Sequence, residues 1–108
     1  MSHVTTHVLD SALGKPAEGV PVALYDNEGQ LVATGATNAD GRVSDLGPEI
    51  LDVGVYRLVF ETGDYFEASG QVGFYPRVTI DFVLADGASH YHVPVLLSPF
   101  AYSTYRGS

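Results

Sequence analysis

Four histidines, an arginine beside a tight turn and an aromatic tail carry most of the chemistry available to this sequence. His90 and His92 are two residues apart, so in an extended strand both imidazoles leave from one face. Such a pair can hold zinc when a third ligand arrives from elsewhere; taken alone, it reads better as hydrogen-bonded strand histidines. His3 and His7 lie near the other end of the chain, and a lone histidine in a half-buried strand is usually satisfied by a backbone carbonyl. His7 acquires a chemical role if folding brings it to His92. Imidazole titrates nearest neutrality, and two together can work as base and acid without a metal.

Arg42 follows Asp40-Gly41. Its plain reading is an exposed arginine on an edge strand. In a site, its planar, always-charged fork suits a substrate carbonyl or developing oxyanion charge. The final run Tyr105-Arg106-Gly107-Ser108 is aromatic and strand-like where chains usually fray, which predicts an end packed in place. Arg106 within that run needs an anionic or carbonyl partner if buried, and the Ser108 carboxylate is a candidate. The sequence has no G-x-S-x-G elbow, P-loop or H-E-x-x-H.

The elements that must position these residues are short strands. Val4 to Leu9 alternates, with Thr5, His7 and Leu9 on one face and Val4, Thr6 and Val8 on the other. Val20 to Tyr25 and Leu31 to Gly35 flank an Asn-Glu-Gly turn and predict a hairpin. Asp40-Gly41 launches a strand from Arg42 to Leu46. Val55 to Glu61 follows with Tyr56, Leu58 and Phe60 inward. Thr62 to Gly70 is the one helical stretch, with Thr62 or Asp64 as its cap. Arg77 to Leu84 turns Val78, Ile80, Phe82 and Leu84 to one face. Tyr91 to Leu97 and Phe100 to Arg106 form the last pair, and Pro94 leaves a missing ladder bond or an outward position. About eight strands with regular turn signals predict an all-β, antiparallel sandwich with one short helix.

A chain of 108 residues predicts a single domain with one core. Its net charge of −8 argues against nucleic acid held through phosphate contacts. No run approaches a membrane span, so no membrane partner is expected. The absence of cysteine excludes disulfides and thiolate metal sites. With no signal-peptide layout at the start, it predicts a cytoplasmic protein.

The run HYHVPVLLSP from His90 to Pro99, with the terminal YRGS, resembles the 5-hydroxyisourate hydrolases, the transthyretin-like enzymes of urate breakdown. The likeness extends along nearly the whole chain. Thr6 to Asp10 (THVLD) with Gly14-Lys15-Pro16-Ala17 is similar to the family's opening motif, Asp40-Gly41-Arg42 to its arginine motif, and Thr62 to Phe66 to its middle segment. The ending is the most specific piece, since transthyretin carriers share the sandwich and lack YRGS. No matching site position departs from the pattern.

The resemblance implies a transthyretin/prealbumin-like fold and a homotetramer, built as a dimer of dimers, with the site in a channel between subunits. It implies hydrolysis of a purine-derived small molecule, 5-hydroxyisourate, without metal or other cofactor. It further implies that His7, Arg42, His92 and Ser108 are catalytic. His7, Arg42, Tyr105, Arg106 and Ser108 would contact substrate. His90 is not among the implied site positions. The alternative is a transthyretin-like carrier that holds an aromatic ligand in the channel. A structural sandwich module and a metal-dependent hydrolase built on His90 and His92 follow behind.

Overall fold

The computed structural model describes all 108 residues. Its strands are β1 (Val4–Asp10), β2 (Lys15–Pro16), β3 (Pro21–Tyr25), β4 (Leu31–Ala36), β5 (Arg42–Val43), β6 (Gly54–Phe60), β7 (Val78–Leu84), β8 (Tyr91–Ser98) and β9 (Ala101–Thr104). One helix, α1 (Thr62–Ala68), lies between β6 and β7. The strands form two sheets, ordered β2-β1-β8-β9, with β5 also on β1, and β4-β3-β6-β7.

Alternation builds the core as expected. Val4, Thr6 and Val8 of β1 face Leu58 and Phe60 of β6 across a shared interior, and all five are fully buried. Each apolar side chain removed from water in this way contributes roughly 1.5–3 kcal/mol, enough to fix which face of each strand looks inward. A one-residue slip would turn every side chain to the wrong face. Ile80 and Phe82 of β7 are partly buried against the same core.

Four details depart from the sequence-based expectations. Every pairing is antiparallel except that of β1 with β8, which run parallel over seven register positions. The strand after Asp40-Gly41 stops at Val43 rather than Leu46. Neither Thr62 nor Asp64 caps α1: the cap position is Glu61, without a side-chain bond, and the buried Thr62 hydroxyl is spent on the Tyr75 carbonyl. The last strand is Ala101–Thr104, and all four of its residues are exposed. It is the sheet edge, with β8 on one side and no strand on the other.

Pro94 explains where the tail leaves that edge. The β8–β9 ladder runs from Ser98↔Ala101 to Val95↔Thr104, and the next residue of β8 has no N–H to offer. The Thr104 hydroxyl instead donates to the Pro94 carbonyl at 2.7 Å. Pairing resumes at His92↔Gly107, where the Gly107 N–H donates to the His92 carbonyl at 2.8 Å. Backbone pairing thus ties the chain end at one point beyond β9, and Tyr105 remains 56% exposed.

Candidate active site

The parallel β1–β8 pair creates the site face. Side chains alternate across a strand, so Thr5 and His7 leave β1, and His92 and Pro94 leave β8, on the side away from the core. The register aligns Thr5 with His92 and His7 with Pro94. His7 and His92 are therefore diagonal neighbours, with ring centres 6.5 Å apart and planes inclined by 31°. The spatial meeting on which a chemical role for His7 depended is present.

The turn before β5 places the next two groups. The Asn38 side-chain oxygen accepts from the Asp40 and Arg42 N–H groups, at 2.9 and 3.0 Å. Gly41 has φ +76°, and a Cβ there would stand 2.3 Å from the Val8 carbonyl oxygen. Only glycine lets this turn lie against β1. The Asp40 carbonyl then meets His7 Nε2 at 2.9 Å. A carbonyl only accepts, so that nitrogen carries the proton, and neutral His7 keeps its lone pair on Nδ1. Arg42 pairs in register with His7. Its guanidinium is free of carboxylates, whereas Arg57 and Arg77 are bound to Asp81 and Glu61 at 2.7 and 3.2 Å.

His92 is the more enclosed imidazole. Its Nδ1 lies 2.8 Å from the Thr5 hydroxyl. The same hydroxyl lies 2.8 Å from Nε2 of His90, which stacks 6.5 Å from the His92 ring. Burial, followed by the positive charge of Arg42 and then the neighbouring His7 and His90, pushes the His92 imidazole below its ordinary value. At neutral pH it is an uncharged ring with a lone pair to use. Gly107 closes over it: an added Cβ would lie 2.7 Å from His92 Cδ2 and 3.0 Å from Pro94 Cγ.

The tail residues divide. Gly107 sits on the histidine face, while the Arg106 guanidinium lies 4.3 Å above the ring of Tyr91, a residue whose side chain points to the opposite side of β8 from His92. The partner of Arg106 is thus an aromatic face rather than an anion, a contact worth ~0.5–1 kcal/mol where exposed. Tyr105 and Arg106 border a cleft of about 310 Å³ with His92, Ile80, Phe82 and Val83. Ser108 is exposed at the chain end. A larger cleft, about 650 Å³, is on the other sheet around Tyr25, Glu28 and Arg57 and holds no histidine.

Sequence reasoning missed Thr5 as a bridge between two histidines and the role of the Asp40 carbonyl. The i, i+2 spacing of His90 and His92 contained part of the signal, but the strand beside them was not readable from it. His3 is structural. It is buried, with Nε2 donating to the Ser89 carbonyl and Nδ1 accepting from the Leu51 N–H, both at 2.8 Å. His7, His90 and His92 do not converge as a group of metal ligands would.

Residues 4–107 match the model of the HIUase/Transthyretin family. A 5-hydroxyisourate hydrolase of Pseudomonas aeruginosa is 49% identical over 117 residues, covering all of this chain and 93% of the relative. Among solved structures, the 5-hydroxyisourate hydrolase of Klebsiella pneumoniae superposes with a TM-score of 0.89 at 42% identity, over 97% of this chain and 98% of that one. Transthyretin from Sparus aurata superposes with a TM-score of 0.91 at 31% identity, over 99% of this chain and 97% of that one.

Proposed function

This chain belongs to the HIUase/transthyretin family, and from that premise we propose that it hydrolyses 5-hydroxyisourate in urate degradation. The product is 2-oxo-4-hydroxy-4-carboxy-5-ureidoimidazoline. The observation that carries the proposal beyond family membership is the meeting of His7, His92 and the carboxylate-free Arg42 on one sheet face. The scaffold alone does not separate hydrolase from carrier, because both superpose on it equally well. A carrier has no need of two imidazoles and an unpaired guanidinium.

Rings 6.5 Å apart can both reach one water, since each hydrogen bond spans ~2.8 Å. His92, neutral at pH 7, takes a proton from that water as its oxygen attacks a cyclic amide carbonyl. Arg42 holds the substrate and stabilises the oxyanion. As the ring C–N bond breaks, the leaving nitrogen takes back a proton and the carbonyl carbon becomes the product carboxyl. His7 positions the water and shares the acid–base work. Tyr105 and Ser108 contact the substrate ring, and Arg106 secures the tail through Tyr91. No cofactor enters this scheme.

The reading includes a single-domain chain acting as a homotetramer in the cytoplasm. In one chain His92 lines the cleft bordered by Tyr105 and Arg106, whereas His7 and Arg42 lie outside it on the sheet face. Phe100, just before the edge strand β9, and Tyr102 within it are exposed at 69% and 41%, a surface that pairing with other copies would cover. The test is the decay of 5-hydroxyisourate, freshly generated from urate by a uricase, against the spontaneous reaction. Decay should accelerate in proportion to protein and fall by ~10²-fold or more in His92→Ala. Decay no faster than buffer would move the function to ligand carriage.

A further inference from the structure

His90 lies outside the site as the family likeness draws it, yet the structure links it to His92 through a single atom. The Thr5 hydroxyl oxygen stands 2.8 Å from His90 Nε2 and 2.8 Å from His92 Nδ1. Thr5 is 5% exposed, so water does not stand in for either partner. A hydroxyl has one proton and two lone pairs. An arrangement in which the oxygen accepts from both rings leaves the buried hydroxyl proton without an acceptor, so neutral rings allow two that satisfy it. In one, the hydroxyl donates to His92 Nδ1, His90 Nε2–H donates to the hydroxyl, and the His92 proton sits on Nε2. In the other, His92 Nδ1–H donates to the hydroxyl, the hydroxyl donates to His90 Nε2, and the lone pair of His92 lies on Nε2. Both protons shift together, so the tautomers of the two histidines are coupled.

We propose that Thr5 and His90 are positioning residues for His92: their shared hydrogen bonds hold its proton on Nδ1 and present its Nε2 lone pair to the open face. Only this arrangement leaves the exposed nitrogen of His92 able to accept a proton. It is complementary to His7, whose Nε2–H is committed to the Asp40 carbonyl and whose lone pair is on Nδ1. The charged or titratable groups nearest His92 are Arg42, His7 and His90. Of these, only His90 reaches it through a hydrogen-bonding bridge. The choice between the two tautomers rests on the hydrolase reading; the coupling of the two histidines through Thr5 does not.

The test uses full-length protein labelled with nitrogen-15 at histidine, with long-range proton–nitrogen correlations recorded where all imidazoles are neutral. The parent and Thr5→Ser should show the His92 proton on Nδ1. Thr5→Val removes the hydroxyl at constant shape, and His90→Phe removes the acceptor while keeping a ring. Both should shift His92 towards the Nε2–H form and lower kcat by about tenfold, the lower end of the loss when a metal-bound imidazole loses its orienting partner. KM should stay close to the parent value, and Thr5→Ser should retain activity. A parent with the His92 proton on Nε2, or both variants keeping it on Nδ1, overturns the proposal. So does a shifted tautomer with kcat unchanged. If Thr5→Val does not fold, His90→Phe decides, since His90 is exposed. A parent inactive on 5-hydroxyisourate sinks the hydrolase reading instead, and the tautomer measurement still judges the Thr5–His90 link.

Discussion

Two polar clusters grow from alternate sides of β1 and end in opposite conditions. On the inner side, the Asp10 carboxylate is 1% exposed. It accepts from the Tyr65 hydroxyl at 2.6 Å, the Leu13 N–H at 2.9 Å and the Gln71 amide at 3.0 Å. Burial, then the hydrogen bond and charge of Asp10, push the Tyr65 hydroxyl far above its ordinary value. Every group there is used by another. On the outer side, Thr5 and Asp40 each orient one nitrogen of an imidazole, while His7 Nδ1, His92 Nε2 and the Arg42 guanidinium have no partner within the chain. A buried polar group with its partners complete holds elements together. A group oriented by one bond and open at the next is arranged for something that is not part of the chain.

The sharpest way to break this comparison is Arg42→Lys. If Arg42 acts through its fork, a lysine of the same charge should lower turnover by ~10²–10³-fold. The melting temperature should not move, because the side chain has no structural partner to lose. Turnover close to that of the parent would leave Arg42 an ordinary exposed arginine. A smaller effect is expected at Gly107, where the open cluster meets the tail. Gly107→Ala brings a Cβ to 2.7 Å from the His92 ring. Displacing that ring by a few tenths of an ångström should reduce kcat by about tenfold with little change in melting temperature. A loss of stability without loss of rate would make Gly107 a packing residue only.

How far the sequence revealed these clusters depends on what alternation can and cannot say. It divides faces: Val4, Thr6 and Val8 on one side and Thr5, His7 and Leu9 on the other could be read directly, and the fold shows the first set to be the fully buried one. It does not assign neighbours. β1 and β8 are some eighty residues apart, and nothing local to either states that they pair, or that they do so in parallel. The contact of His7 with His92 therefore remained conditional, and the Thr5 bridge was invisible. Arg42 was legible because Asp-Gly marks a tight turn, whereas the early end of β5 was not. The tail misled: its aromatic composition suggested packing, but in one chain it lies on an open edge. Arg106, expected to need an anionic or carbonyl partner if buried, is exposed and rests on the Tyr91 ring. Asp10 carried no warning, since a carboxylate closing a strand usually faces water.

The smallest effect on turnover, and the one that defines the closed cluster, is Asp10→Asn. The amide keeps the shape but replaces one acceptor by a donor facing the Tyr65 and Gln71 donors. Stability should fall by ~1–3 kcal/mol, with kcat on 5-hydroxyisourate unchanged. The pH dependence gives an independent signature. Burial alone would raise the Asp10 carboxyl, but hydrogen bonds from Tyr65, Leu13 and Gln71 together outweigh it and hold the group below its ordinary value of 3.8. A depressed carboxyl contributes stability that is complete above its unfolded value and is lost as pH falls towards the folded one. The parent should therefore weaken steeply below about pH 4, and Asp10→Asn should lose part of that slope. Urea midpoints taken at neutral and acid pH for both proteins measure the difference. Parallel curves would mean that Asp10 is held by the fold without helping to hold it. A variant with impaired kcat would mean that the two sides of β1 are coupled, and that the closed cluster helps to aim the open one.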